Sequence, residues 1–395
     1  MSLLGHIRHL SEDIGPRGSA TEGEAKASDY VQRCLNEFGL QPEGQPVLSA
    51  TSAYTPFILA TGATLLGVFL FWQPQPVGAA AACVLATTAL GAVLLELTFN
   101  DNPLRWVIPT GWSRNVLATI PSAMQDGKRP PILITAHLDT HRTPLLFSSP
   151  AWRRVFRIIM PAGLVGIAVL IVLFAIGIFS PARMLRELAL APGVVVAVIF
   201  LLMIQAATSP FTKGANDNAS GVAVVLDLAE KLVQRPLRRR DVIVAFTACE
   251  EVGAYGAAAL IRANQHNLRG AIHLVIDHVG GWQGRDFGPS IIRSEKFLRR
   301  AMCDPHLVRV AQRIAAERPD LCATVRDFDL AYSELSIGSK YGLRTIGLIG
   351  LTPDGDLPNW HTPHDVIGNL NEATLERTAE FAWHLLQAID AEDGL

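Results

Sequence analysis

The chain has 395 residues, with 34 Lys or Arg against 36 Asp or Glu and a formal net charge of −2. That balance excludes the basic footprint by which a protein binds nucleic acid. Hydrophobic residues make up 49% and charged residues only 18%, with a mean hydropathy of +0.27, against about 25% charged in ordinary soluble domains; the chain is too apolar to be wholly soluble.

Read from its start, residues 1–28 mix His6, Arg8, His9, Glu12, Asp13 and Arg17 with no apolar run, which excludes a secretory signal. Residues 22–38 place Ala25, Tyr30, Val31, Cys34, Leu35 and Phe38 at helical spacing. A first apolar zone then runs from Phe57 to Trp72, breaks at Gln73-Pro74-Gln75-Pro76 and resumes from Val77 to Phe99. A second runs from Met160 to Ser180, breaks at Pro181–Glu187 and resumes from Leu188 to Thr208. A membrane-spanning helix needs about 20 mainly apolar residues. Three of the four runs reach that length, Phe57–Trp72 is short, and Glu96, near a span end, is the one full charge within them. The expectation is four transmembrane helices in two hairpins and a multi-pass protein in contact with the lipid bilayer. Arg105, Arg114, Arg142, Arg153, Arg154, Arg157 and Lys213 flank the spans on the side of the termini, against Arg183 and Arg186 at a hairpin tip. This bias predicts a cytoplasmic location for the polar part.

Outside those zones short apolar runs predict strands at Asn115–Ile120, Ile132–Ala136, Asp241–Thr247, Ile272–Ile276 and Thr345–Gly350. Helices are expected at Gly221–Val233, Ala254–Ala263, Leu307–Ala316 and Glu372–Ile389. The alternation implies an α/β fold with a mixed, mostly parallel sheet flanked by helices. The expected organisation is a polar domain in three pieces (1–53, 100–155 and 209–395), interrupted by hairpins at 54–99 and 156–208.

In such sheets chemistry collects at the carboxyl ends of the strands. There the sequence has His137-Leu138-Asp139, then Gly214 to Gly221 with Asp217, then Cys249-Glu250-Glu251-Val252-Gly253, Asp277, and Trp360-His361-Thr362-Pro363-His364-Asp365. Singly, each has an ordinary explanation as a helix cap or turn residue. Jointly, two histidines and several carboxylates at strand ends form a ligand mixture suited to zinc or a similar divalent ion. Hydrolysis at a two-metal site needs a bridging carboxylate, end ligands and a free carboxylate as base. The Glu250-Glu251 pair can supply one ligand and one base, and Asp139 stands where it can hold the other ring nitrogen of His137.

These motifs, in this order, resemble the co-catalytic zinc peptidases typified by aminopeptidase Y, bacterial leucyl aminopeptidase and the glutamate carboxypeptidase relatives. The resemblance covers most of residues 1–50, 100–145 and 210–395. It implies two zinc ions per chain and a peptide substrate, with Asp217 bridging, His137 and Asp277 completing one site, and Glu251 and His361 the other. It further implies Glu250 as general base and Asp139 as the orienting group. Two departures stand out. The second hairpin is inserted between His137 and Asp217, which points to a membrane-proximal or membrane-derived peptide. Ser333-Glu334-Leu335 replaces the Ser-Asp-His of many relatives, so substrate specificity does not carry over. An aminopeptidase is the expected activity; a one-metal glutaminyl cyclase and a non-catalytic receptor or scaffold on the same fold are the rivals.

His141, His273, His278 and His364 read as accompanying residues, with His278 nearest the pocket. The five cysteines read as separate thiols, Cys249 as a buried structural one, and Arg238-Arg239-Arg240 as a solvated loop.

Overall fold

The computed structural model describes residues 1–392 apart from 74–75, 101, 126, 128 and 297–298; Pro74 and Gln75 of the expected break thus lie outside the described residues. The chain divides into two compact units, one of residues 1–51, 110–141 and 211–395, the other of residues 52–109 and 142–210. In chain order the helices are α1 (Leu3–Arg8), α2 (Glu22–Glu37), α3 (Thr55–Phe71), α4 (Val77–Leu97), α5 (Pro150–Phe179) and α6 (Arg183–Thr208). They continue with α7 (Gly221–Gln234), α8 (Tyr255–Ala263), α9 (Pro305–Glu317), α10 (Glu334–Lys340) and α11 (Glu372–Ala391).

The first unit is built on one mixed sheet. Its strands are β1 (Glu43–Ala50), β2 (Thr110–Ile120), β3 (Ile132–His137), β4 (Val242–Thr247), β5 (Ile272–Asp277), β6 (Ser290–Lys296), β7 (Arg300–Met302), β8 (Thr324–Phe328) and β9 (Arg344–Ile349). They lie in the order β1-β2-β4-β3-β5-β9-β6-β7, with β8 paired to β6. The central strands β4, β3, β5 and β9 are mutually parallel, while β1–β2, β2–β4, β6–β9 and β6–β7 are antiparallel. Every residue of β3 is buried, as a strand covered on both faces requires. On one face Ile132, Ile134, Ile272, Leu274 and Ile276 join Val222, Val225, Leu226 and Ala229 of α7 and residues of α2, α9 and α11 in a common core. On the other, Val275 and Ile349 meet Leu335 of α10 and Phe328. The parallel register brings the ends of β3, β4, β5 and β9 to one edge, the edge where functional groups collect in parallel sheets.

All five expected strands are present, with β2 starting earlier at Thr110. Those that the sequence pattern did not disclose are β1, broken by Pro46, the charged β6, the three-residue β7 and the half-buried β8. The run Arg238-Arg239-Arg240 is not simply solvated. Its three backbone N–H groups donate to the Asp390 carboxylate, and Arg240 is buried with its guanidinium on the Pro130 carbonyl.

The second unit comprises α3 to α6. Phe71, Ala79, Ala82, Ala86, Ile167, Leu170, Phe174, Leu185, Ala189 and Val196 form its core. The small side chains of α4 allow close helix approach, the packing mode that operates where water does not drive association. Among the described residues three helices, α4, α5 and α6, are long and apolar enough to cross a membrane, and α3 is shorter. Phe69, Val165, Val172, Phe179, Val194 and Leu201 are exposed, an apolar surface that an aqueous surrounding would penalise. Glu96 at the end of α4 accepts from Asn102 at 2.9 Å and pairs with Arg105 at 3.1 Å, so its charge is neutralised locally.

A buried carboxyl ties α10 to the sheet. Ser333 N–H and Oγ–H donate to Glu295 Oε2, and Ser336 Oγ–H donates to Oε1. Burial raises the Glu295 pKa to about 7 against the opposing pull of these donors. A group that holds its proton more tightly when folded stabilises fully below the unfolded value of 4.5 and loses that contribution as pH rises through its folded value, here worth up to about 3 kcal/mol. Glu295→Gln should therefore flatten the decline in thermal midpoint between acid and neutral pH; an unchanged slope would contradict the assignment.

Candidate metal centre

All but one of the residues expected from the sequence to form the site sit at or beyond a strand end. His137 closes β3, Asp277 closes β5, Glu250 and Glu251 follow β4, and His361 lies in the loop between β9 and α11. Asp217 sits in the segment Ala215–Ser220 before α7, where its own backbone and that of Asn218 leave the helical region. Its two carboxylate oxygens face different histidines. Oδ1 is 3.2 Å from His137 Nε2, and Oδ2 is 3.4 Å from His361 Nε2. His137 Nε2 is also 3.4 Å from Asp277 Oδ1, and His361 Nε2 is 3.3 Å from Glu251 Oε2. The result is two adjacent groups sharing Asp217. The same packing brings His141 into one of them, with His141, Glu251 and His361 offering ligand atoms within 4.8 Å of one another.

The loops carrying these groups are held by buried carboxylates acting on backbone amides. Asp139, fully buried, accepts from Glu250 N–H at 2.9 Å, Glu251 N–H at 3.0 Å and Ser19 Oγ–H at 2.6 Å. Its Oδ1 is 3.4 Å from His137 Nδ1, and its carbonyl oxygen is 3.2 Å from the same nitrogen. Glu24 of α2 accepts from Cys249 N–H at 2.7 Å and Ala20 N–H at 2.7 Å. Asp365 accepts from Asn216 N–H at 2.6 Å and Asp217 N–H at 3.1 Å. Arg17, also buried, donates to the carbonyls of Leu10, Gly15, Leu138, Lys213 and Gly214, placing a cation among the acids. Asn218 completes the lacing by donating to Ile276 O and accepting from Gly221 and His278 N–H.

The backbone departs from ordinary geometry at the same places. Cys249, His278 and His361 have φ of 55°, a left-handed conformation that costs a non-glycine residue on the order of 1–3 kcal/mol and persists where the surroundings enforce it. Cys249 is buried and free, and burial, Glu24 and Asp139 raise its thiol pKa far above the usual range, so it is inert. His278 is buried, its Nε2 on the Pro358 carbonyl and its Nδ1 3.9 Å from Asp217 Oδ2. His273 lies in the sheet against Thr135 Oγ1 with its pKa lowered to about 3 by burial. His364 is exposed.

The electrostatics call for a cation. Burial raises the Glu250 and Glu251 pKa values well above the usual carboxyl range; His137 opposes this while the neighbouring carboxylates add to it. For Asp217 burial works in the same direction, but His137, His278 and His361 overcome it and hold the group well below. Glu251 Oε1 and Asp277 Oδ1 are buried with no hydrogen-bond partner. Carboxylate and imidazole ligands about 2.0–2.1 Å from a tetrahedral zinc lie roughly 3.3 Å apart, and the four separations around Asp217 span 3.2–3.4 Å. The donor set and its spacing fit divalent zinc.

Residues 201–386 match the sequence model of Peptidase family M28. That segment is similar to M28 peptidases. Aminopeptidase YwaD of Bacillus subtilis (strain 168) is 25% identical over 186 residues, which cover 43% of this chain and 36% of that protein; the match spans little more than a third of the relative's length. Among solved structures, LapB from Legionella pneumophila is 13% identical over 99% of this chain and 72% of its own, with a TM-score of 0.57. BSAP, a zinc aminopeptidase from Bacillus subtilis, is 12% identical over 97% and 93%, with a TM-score of 0.57. Bacteroides thetaiotaomicron glutaminyl cyclase bound to N-acetylhistamine is 15% identical over 98% and 96%, with a TM-score of 0.55. At these identities the structural likeness establishes the fold alone. The M28 match includes Asp217, Glu250, Glu251, Asp277 and His361, whereas His137, Asp139 and His141 precede it.

Sequence reasoning did not find Glu24, Arg17 or a role for Asp365, all of which act on backbone far away in the chain. Removing the Asp365 carboxylate leaves two buried amides without acceptors. Asp365→Ala should therefore destabilise the sheet-containing unit by about 3 kcal/mol, and Asp365→Asn, which keeps one acceptor, by less; equal thermal midpoints for wild type and Asp365→Ala would contradict this.

Proposed function

We propose that the protein is a membrane-anchored, zinc-dependent aminopeptidase. The observation that carries this reading is the split of Asp217, one oxygen toward His137 and the other toward His361, the arrangement that a carboxylate shared between two ions requires. His137 and Asp277 would hold one ion, Glu251 and His361 the other, with Asp217 common to both. Bound zinc supplies Lewis-acid polarisation of the scissile carbonyl and acidifies a coordinated water. Glu250, whose pKa is raised chiefly by burial, takes the proton from the attacking water and delivers it to the departing amine. Asp139 keeps Glu250 and Glu251 in register through their amides and steadies His137. The long apolar helices α4, α5 and α6, with α3 as a shorter fourth, are read as the membrane anchor, and the basic residues beside them favour a cytoplasmic active unit. An enzyme so confined meets membrane-tethered peptides at a raised effective concentration.

The fold neighbours favour one rival, a glutaminyl cyclase. A cyclase would bind one zinc and act on N-terminal glutamine, whereas the complete paired ligand set favours two ions and peptide hydrolysis. The same retained set speaks against a non-catalytic receptor or scaffold.

Purified protein tested on free and N-terminally blocked peptides should cleave the free ones and lose activity with a chelator. Cleavage of blocked peptides alone would overturn the aminopeptidase reading, and cyclisation with one zinc per chain would favour the rival. Glu250→Gln should lower turnover about 10²–10⁴-fold with metal content unchanged, while Asp217→Ala should lose bound zinc by elemental analysis; near-normal turnover in the first or unchanged stoichiometry in the second would remove those roles.

A further inference from the structure

We infer that His141 is an additional metal ligand, placing a second imidazole on the ion held by Glu251 and His361; this rests on the metallopeptidase reading above. Neither the spacing of the strand-end motifs nor the resemblance they carry includes this residue. The structure nevertheless packs it into that group. The His141 and His361 rings are stacked with centroids 3.5 Å apart and planes only 13° from parallel. His141 is 8% exposed and His361 7%, so the stack is closed off from bulk water. Their nitrogens and a Glu251 carboxylate oxygen lie within 4.8 Å of one another, so one ion gathers them once the two rings turn out of their parallel stack. Glu251 Oε1, buried and without a hydrogen bond, is a further acceptor in need of positive charge.

The local backbone explains why His141 stays in place. Arg17 N–H donates to Thr140 Oγ1 and Thr140 N–H to the Arg17 carbonyl. One residue later, the His141 carbonyl accepts from Thr212 N–H at 2.8 Å. His141 is thus fixed on both sides. An extra imidazole has two consequences: it raises the affinity of that position for zinc and makes the two positions unlike, with one histidine in the first and two in the second. His141→Phe separates the two contributions of the ring, because phenylalanine keeps a flat surface for His361 but has no nitrogen to donate.

The test loads metal-free wild type and His141→Phe with cobalt(II) and with zinc, using chelator competition for affinity and visible absorption for coordination. The expected result is a 10–100-fold weaker affinity at one of two positions, together with an altered cobalt absorption band. Identical affinity and spectrum would overturn the inference and confine His141 to packing. X-ray absorption of zinc-loaded wild type gives a second measurement independent of whether His141→Phe folds. An average of three imidazoles shared over two zinc ions supports the inference, and an average of two shared over two overturns it. Wild type that binds neither cobalt nor zinc would overturn the metallopeptidase reading itself, a failure distinct from metal binding that His141→Phe leaves unchanged.

Discussion

The site depends on the fully buried carboxylate of Asp139. Its oxygens accept from the amides of Glu250 and Glu251, joining the end of β3 to the loop after β4 and fixing the position of both glutamates. An uncompensated buried charge costs several kcal/mol, so the carboxylate must be fully bonded, and the charge-assisted bonds it makes are among the strong ones. Glu24 and Asp365 repeat the device on the loops of Cys249 and Asp217. Three acids thereby act on backbone, while Asp217, Asp277 and Glu251 face the histidines of the candidate site.

This division of labour has an electrostatic cost. Asp139, Asp217, Glu250, Glu251, Asp277 and Asp365 crowd one sheet edge, with Arg17 as a buried counterion whose own pKa falls to about 10, burial outweighing the surrounding acids. Mutual repulsion among such groups is relieved by cations or by protonation, and the raised pKa values of Glu250 and Glu251 reflect burial first and the neighbouring carboxylates second. The left-handed backbone at Cys249, His278 and His361 is a second sign that the loops hold these side chains against local preference.

Much of this was legible in the sequence because it rests on local pattern. Buried parallel strands are unbroken apolar runs, so β3, β4 and β5 stood out, and their ends exposed His137, Glu250, Glu251 and Asp277. The clamps were not legible. Glu24 lies on an amphipathic helix where an acid ordinarily faces water, and nothing local says that it meets Cys249, 225 residues away. Arg17 sits in a segment of mixed polar and charged residues with no local pattern to single it out. Arg240 lay within a basic run that reads as solvated because its partner, Asp390, is at the far end of the chain. The irregular β6 to β8 region lacked alternation for the same reason: its strands are short and partly paired.

The place where α5 and α6 interrupt the chain bears on the order of synthesis. His137, Asp139 and His141 leave the ribosome before these helices, and Asp217, Glu250, Glu251, Asp277 and His361 after them. Since a chain folds as it emerges from its amino end, no complete donor set can exist until both apolar helices have been made. Completion of the candidate site is thereby tied in time to synthesis of both apolar helices, and a nascent chain stalled before that point carries only part of the donor set.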